Sequence, residues 1–413
     1  MDVSSKKFTR YEAFVIAILA ILQFTIILDF MVLSPLGAIL MPTLHITPQQ
    51  FGWVVSAYAL SAGASGLLAA GFADTFDRKK LLLFFYTGFT LGTFLCSIAN
   101  SFYFLLFARI FTGIFGGVIG SICAAIITDL FRMEVRGRVM GFVQMAFATS
   151  QVLGIPIGLY LANHLGWHSP FTMIVAFCIL IGIAIILYLK PIDAHLKLTI
   201  EHSAFTHLMK IISQPNYLLA FATTTLLAMG AYMLMPFGSA FSVHNLGINF
   251  ADIPTIYIIT GISSMIAGPL LGRFSDKIGK YRLFIIGSLI AITMTCIYGN
   301  LGVTPIITAI LINVVLFIGI TSRIISSSAL MTAIPQPKDR GAFMSINSSV
   351  QQIAGGVAAA AAGFIVKETP SGYLERYDIL CYVVSAGMIL SMVMMYFVNR
   401  MANRTPLPLP EQV

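Results

Sequence analysis

Twelve apolar stretches run through this chain, each long enough for a helix to cross the roughly 30 Å hydrocarbon core of a bilayer. They lie at 14–38, 51–72, 82–99, 103–128, 139–162, 169–189, 217–242, 252–273, 282–299, 304–332, 342–366 and 376–399. In hydrocarbon every backbone N–H and C=O must find its partner within the protein, which leaves helices or a closed barrel. Runs of this length select helices. The expected fold is therefore an all-α membrane protein of twelve transmembrane helices. Charge is correspondingly scarce. Only 10% of the 413 residues are Asp, Glu, Lys or Arg, against roughly 25% in a soluble chain, so lipid solvates most of the surface. Lys6, Lys7 and Arg10 precede the first run as in a secretory signal, but no small-residue cleavage site follows, and a retained first span is expected.

The basic residues set the orientation. Twenty of the 24 Lys and Arg fall in the same alternating set of connections, whereas Lys367 and Arg376 lie on the opposite side and Arg109 and Arg323 within spans. The positive-inside rule then places both termini in the cytoplasm. It also accounts for the net charge of +8 without nucleic acid. The short loops suggest a bacterial inner membrane.

The connection at 190–216 is longer and polar, and it divides the chain into a first half at 1–189, a cytoplasmic linker and a second half at 217–413. The halves repeat one another. Ala70-Gly71-Phe72-Ala73-Asp74-Thr75-Phe76-Asp77-Arg78-Lys79-Lys80 corresponds to Gly272-Arg273-Phe274-Ser275-Asp276-Lys277-Ile278-Gly279-Lys280-Tyr281-Arg282 at an offset of 202. Ser34-Pro35-Leu36-Gly37 corresponds to Met235-Pro236-Phe237-Gly238 at 201, and Arg136-Gly137 to Arg340-Gly341 at 204. Thr47-Pro48-Gln49-Gln50 reads as an N-cap, a proline at the first helical position and a capping-box glutamine. Asn249 and Asp252 stand at the matching place in the second half. Because the halves have the same membrane orientation, they are expected to form two pseudo-symmetric six-helix bundles around a central cavity.

Twelve spans in a six-plus-six repeat, a central linker and a charged cassette after spans 2 and 8 resemble the major facilitator superfamily. The second cassette, with Gly272, Asp276, Gly279 and Lys280, is similar to its signature loop. The first departs at Ala70 and Asp77, where the family prefers glycine, but keeps Asp74, Arg78 and Lys79. Arg109-Ile110-Phe111-Thr112-Gly113 in span 4 is similar to the Arg-x-x-x-Gly of proton-coupled members. Gly154-Ile155-Pro156-Ile157-Gly158 in span 5 looks like the Gly-Pro motif of antiporters, with Ile155 intervening. Leu28 to Pro35 is similar to the opening of drug and metabolite exporters. The resemblance implies alternating access, with Asp74, Arg78, Arg136, Arg138, Asp276, Lys280 and Arg340 locking the outward-open state. Simple topology-setting is the alternative role for these residues, although topology needs no aspartate.

Asp29 is the only acid deep within a span. Placing a carboxylate there costs roughly 2.5–3.5 kcal/mol on insertion scales, so such groups usually act. Burial favours a neutral carboxyl and a nearby cation favours the carboxylate. A group held between the two can take up and release a proton. Helical rise puts Asp29 and Arg109 within about one turn of the same depth, so the two are expected to pair, with a fixed structural ion pair as the plainer alternative. Arg323 has no acid at its depth; it either contacts a polar or anionic substrate group or hydrogen-bonds between helices. Tyr58, Gln144, Gln151, Tyr232, Arg323, Asn347, Gln351 and Gln352 are the expected cavity lining as a set, although a polar or aromatic residue of this kind alone is more often an interhelical contact. Gly113, Gly117, Gly154, Pro156 and Gly158 are expected to serve helix packing.

The function expected is proton-driven export of a small organic compound, a drug or metabolite, by a monomer in the bilayer. The partners are the substrate and protons, and no cofactor, metal or nucleic acid is implied. The five cysteines and seven histidines show no metal spacing, and no P-loop is present. A proton-coupled symporter or uptake transporter of an organic anion or lipid-like substrate is the alternative. A membrane sensor or enzyme on the same scaffold would need a catalytic cluster or an added soluble domain, and the sequence shows neither.

Overall fold

The computed structural model describes residues 8–69, 76–193, 211–336 and 339–402. Asp74 lies outside them. Span 1 is α1 (Arg10–Val32) followed by α2 (Gly37–Leu44), with a turn between them at Ser34-Pro35. Proline lacks the N–H that the helix ladder needs, and tighter bonds from Leu36 to Leu33 and from Gly37 to Ser34 bridge the break. Then come α3 (Pro48–Ala69), α4 (Arg78–Ser97), α5 (Phe102–Leu130), α6 (Met133–Thr149), α7 (Ile155–Leu165) and α8 (Ser169–Tyr188). The second half contains α9 (Pro215–Leu234), α10 (Gly238–His244), α11 (Ile253–Ile278), α12 (Lys280–Gly299), α13 (Ile306–Thr332), α14 (Arg340–Ile365) and α15 (Tyr377–Ala402). Between α9 and α10 the chain tightens into a 3-10 turn at Met235–Phe237, so Pro236 repeats in span 7 what Pro35 does in span 1.

Eleven of these spans are long and apolar enough to cross a membrane among the described residues. The remaining long helix, α14, has 26 residues and falls short on apolarity alone. Its Ser345, Asn347, Ser348, Ser349, Gln351 and Gln352 dilute an otherwise Ala-rich span. The reason is its position. It packs along α3 at the contact between the halves, where small residues let backbones approach. A Cβ on Gly52 would sit 2.8 Å from the Ala359 carbonyl oxygen, and one on Gly363 would sit 3.0 Å from that of Pro48.

The capping box read from the sequence is formed, with Gln50 N–H donating to Thr47 Oγ1 at 3.3 Å and Thr47 N–H to Gln50 Oε1 at 2.9 Å. Asn249 caps the matching start by accepting from Ala251 N–H at 3.0 Å. Span 5 contains a π turn at Ser150–Gly154, where Ile155 N–H reaches back to the Ser150 carbonyl. Pro156 follows at once and cannot donate into a regular ladder; the wider turn absorbs the mismatch. One element was not foreseen. A short antiparallel hairpin, β1 (Lys367–Glu368) and β2 (Leu374–Glu375), joins α14 to α15. The Asn245 side chain holds Leu374 at both its N–H and its C=O, each at 2.9 Å.

Twelve crossings put both termini on one face, the terminal face. At the opposite, far face the halves meet closely. Ser239 Oγ donates to the Ser34 carbonyl at 3.4 Å, Phe51 meets Phe237 edge-on at 6.2 Å, and Trp53 meets Phe364 at 6.1 Å. α7 and the π turn pack against α11 in the same region, with Gly261 fitting over Val152. Toward the terminal face this contact ends. No residue of α11 from Ile262 to Phe274 is buried, and Phe142, Gln144, Met145 and Phe147 of α6 are exposed. The halves are sealed at the far face and parted between α6 and α11 at the terminal face.

Within the first half, α3 and α5 approach through Gly113 and Gly117. A Cβ on Gly117 would overlap the Ala62 carbonyl, and one on Gly113 would lie 2.5 Å from that of Tyr58. Replacing Gly117 with Val is expected to destabilise by about 1–3 kcal/mol, the usual cost of overpacking. Gly141→Ala, where nothing lies within 4 Å, should be tolerated. Thermal unfolding in detergent micelles separates the two, and equal midpoints would show that the α3–α5 contact has slack.

Candidate functional site

Asp29 sits on the last turn of α1, just before the Ser34-Pro35 break. Its neighbours on the helix fix its direction. Leu28 packs over Gly154 and Val32 over Gly158, so the two glycines of the Gly-Ile-Pro-Ile-Gly segment serve to bring α1 against span 5. Asp29 then points the other way, toward α4 and α5. Its Oδ2 meets Arg109 Nη1 at 2.8 Å, and Thr93 Oγ1 of α4 donates to its Oδ1 at 3.1 Å. Arg109 Nη1 also reaches the Asp29 carbonyl at 3.4 Å. Both charged side chains are 0% exposed, so neither charge is screened by solvent.

The guanidinium lies over the Tyr58 ring, with Cζ 4.5 Å from its centroid. This is a cation–π contact in a dry setting, where such contacts are strongest. Arg109 Nε and Nη2 find no hydrogen-bond partner among the described residues. The pair therefore has one strong bond and two spare donors. Removing the negative charge from Asp29 would leave Arg109 with the Tyr58 ring and neutral acceptors at Asp29, its backbone carbonyl among them. Protonation of a carboxyl so placed would weaken its attraction for the guanidinium on the neighbouring helix.

The sequence points to Tyr58 as cavity lining, but it is 1% exposed and forms the floor beneath Arg109. Gly116 makes room for its hydroxyl. Tyr232 donates to Gln352 Oε1 at 3.0 Å, and Thr224 donates to Asn347 Oδ1 at 2.6 Å. Gln351 is exposed on α14, Gln144 is exposed on α6, and Gln151 lies in the π turn beside Gly261. The structure thus brings together the second-half members of the set on α9 and α14, with Gln144 and Gln151 across the parting on span 5.

Arg323 is placed elsewhere. Its Nη1 donates to Ser288 of α12 at 2.8 Å and its Nη2 to Ser391 of α15 at 3.1 Å, with Phe284 beneath it at 5.1 Å. It is 6% exposed. This is the interhelical arrangement, not a free guanidinium turned toward a substrate, because two serines at matching depth supply acceptors that no acid provides.

The charged cassettes hold each half together. Arg78 Nε pairs with Asp129 Oδ2 at 3.0 Å. Asp77 caps α4 through Lys80 N–H at 2.9 Å and accepts from Ile192 N–H at 3.1 Å, so the residue that replaces a glycine ties the start of α4 to the chain leaving α8. Arg136 donates to the Phe131 and Thr128 carbonyls at 2.9 and 2.6 Å, where the C-terminal end of α5 favours a cation. Arg138 lies over the Phe8 ring at 5.8 Å. Lys280 meets Asp276 at 3.2 Å on an exposed surface, a pair that contributes little. Arg340 begins α14 and is exposed. These contacts of Asp77, Arg78, Arg136, Arg138 and Lys280 do not join one half to the other.

Sequence reading missed Thr93, Asp129 and Phe30. Asp129 carried a signal, being an acid at the end of span 4 among basic residues. Thr93 and Phe30 carried none, since threonine and phenylalanine are ordinary in spans.

Comparison with known proteins agrees with this architecture. A family model described as the Major Facilitator Superfamily matches residues 19–359. An uncharacterized MFS-type transporter of Bacillus subtilis, YceJ, is 26% identical over 374 residues, covering 88% of this chain and 92% of that protein. Multidrug resistance protein 2 of the same organism is 24% identical over 294 residues, covering 68% and 72%. Among solved structures, a D-xylose–proton symporter aligns with a TM-score of 0.75 at 15% identity, covering 96% of this chain and all of that one. An inward-facing, occupied bacterial homolog of the human lysosomal transporter Spinster aligns at 0.71 with 17% identity, covering 97% and 98%. At these identities the structures establish the fold alone.

Proposed function

The chain belongs to the Major Facilitator Superfamily, and from that premise we propose that this integral membrane transporter exports a small, partly apolar organic compound in exchange for protons. The observation that carries the reading is the Asp29–Arg109 pair, fully buried and closed by a single carboxylate–guanidinium bond of 2.8 Å. The Asp29 carboxyl is the one acid deep within the spans, placed to exchange a proton while the halves alternate. Similarity to multidrug resistance protein 2 of Bacillus subtilis supports the export direction and the substrate class. In this reading the terminal face is cytoplasmic, as the Lys and Arg distribution requires. The two bundles rock about the 190–216 connection, and the parted α6–α11 side admits substrate from the cytoplasm. The exposed Gln144 and Gln351, with Asn347 and the apolar flanks of α6 and α11, suit a compound with a few polar groups on a hydrophobic body. The cassettes around Arg78, Arg136, Arg138, Asp276, Lys280 and Arg340 re-form across the halves when the cytoplasmic side closes.

The test uses purified protein in liposomes with an acidic lumen and a pH-sensitive dye inside. Ethidium, followed by a panel of lipophilic cations and neutral drugs, is added outside. Exchange moves lumenal protons out as substrate enters, so the lumen becomes more alkaline. A symporter would acidify it. Acidification, or no substrate-dependent signal across the panel, would overturn the exchange reading.

A further inference from the structure

We propose that Phe30 couples the two halves, carrying the state of the Asp29–Arg109 pair to the second half through an aromatic bridge from Tyr58 to Tyr232. This rests on the proton-exchange reading and names the part that transmits it. Phe30 follows Asp29 directly on α1. Its ring centroid is 5.4 Å from that of Tyr58 on α3 and 5.6 Å from that of Tyr232 on α9, with interplanar angles of 35° and 39°. Among the described residues it is the one aromatic with a ring of each half against it.

Both ends of the bridge are seated firmly. Tyr58 is clamped under Arg109, with Gly113 against its backbone and Gly116 at its hydroxyl. Tyr232 rests on Gly355, where a Cβ would collide with the ring, and its hydroxyl is tied to Gln352 at 3.0 Å. Close-packed rings between fixed seats pass on a displacement instead of absorbing it. The contact run is therefore continuous: Asp29, Arg109, Tyr58, Phe30, Tyr232, Gln352. Its far end adjoins Gln351, which is exposed on α14.

The repeat places both rings in matching spans. At the offset of 201 that relates Pro35 to Pro236, Tyr232 stands one residue past the position equivalent to Phe30, so the contact joins span 1 to span 7, its counterpart in the other half. The repeat is broken just beside them. Asp29 corresponds to Gly230 at that offset, so one half has the acid and the other only the ring. The titratable groups around Asp29 are Arg109 on α5, Tyr58 on α3, and Cys96 and Cys178 on α4 and α8. Among the described residues no second carboxylate faces it, so a pH response of the bridge is assigned to Asp29.

The experiment needs no identified substrate. Spin labels on Thr43→Cys and Ala251→Cys, both exposed at the far face, report the separation of the halves in full-length protein in nanodiscs. The wild-type background is expected to change its distance distribution between alkaline and acidic pH, and Asp29→Asn to abolish that change. Phe30→Leu is expected to shrink it at least about fivefold, the lower range of coupling between sites, while Phe30→Tyr retains it. Tyr232→Leu should reproduce Phe30→Leu, Tyr232→Phe should behave as wild type, and the double leucine variant should be no worse than either single one. A merely structural role would lower stability without separating leucine from tyrosine at position 30. If Asp29→Asn is silent while Phe30→Leu and Tyr232→Leu respond like wild type, the bridge falls and the proton reading stands. If the wild type ignores pH, both fall. Should Phe30→Leu fail to fold, Tyr232→Leu reads the same contact from the other half, and an undiminished response there overturns the bridge.

Discussion

Replacing Asp29 with Asn is expected to leave a folded transporter that no longer responds to a proton gradient. Asparagine has nearly the same shape: its Oδ1 can accept from Arg109 while its amide N–H donates to Thr93 Oγ1, so the packing of α1 against α4 and α5 is kept. What it lacks is the ability to gain and lose a proton. Each proton moving across 100 mV is worth about 2.3 kcal/mol, and with a single acid deep within the spans no second carboxylate at that depth can take over that drive. Gradient-driven transport into liposomes should therefore fall to the rate of protein-free vesicles. Substrate binding, read by thermal shift, should remain measurable and become independent of pH. Gradient-driven transport at the wild-type rate would remove Asp29 from the mechanism.

Replacing Arg109 with Leu is expected to cost the fold more than Asp29→Asn, because asparagine still offers the guanidinium an acceptor whereas leucine gives up the Tyr58 contact and both hydrogen bonds to Asp29. Removing one member of a buried pair leaves the other charge without compensation, typically at a cost of about 3–5 kcal/mol. Here Asp29 is 0% exposed, and Thr93 alone would remain at its carboxylate. The informative comparison is the double variant Asp29→Asn with Arg109→Leu. It carries no buried charge, so it should be more stable than Arg109→Leu alone despite having one more substitution. Unfolding midpoints in detergent micelles test this. If the double variant is as unstable as the sum of the single ones, then packing against Tyr58, not charge, is what Arg109 contributes.

Arg109 and Asp29 were legible as a pair because charge in an apolar run is rare and each helix advances about 1.5 Å per residue. Two such residues at similar depth have few alternatives. Arg323 shows the limit of that logic. Its depth was equally legible, but rotation about the helix axis decides whether a guanidinium meets a cavity or the serines of its neighbours. One sequence does not set that rotation, because Ser288 and Ser391 are unremarkable in their own spans. Tyr58 illustrates the same point. An aromatic with a polar tip suits a cavity wall, yet the close approach of α3 and α5 at Gly113 and Gly117 turns it under the arginine.

Phe30 was not legible at all. It is one of 32 phenylalanines, and its significance comes from touching two rings, Tyr58 and Tyr232, that are distant in sequence. The hairpin at Lys367 to Glu375 escaped notice for the opposite reason. It depends on one side chain, Asn245, from the end of α10.

The amino-acid sequence by itself determined that the protein is a membrane-embedded bundle of twelve helices, duplicated, with a lone acid in its first span. Those properties follow from hydrophobic run length, backbone hydrogen bonding in lipid and the cost of buried charge, all of which act along the chain. Tertiary structure alone decided which face of each helix meets which neighbour. It placed Arg109 over Tyr58, Arg323 between two serines, and Phe30 between the halves. Helix rotation and close approach depend on the packing of small residues from several spans at once, and no local stretch of sequence contains that information.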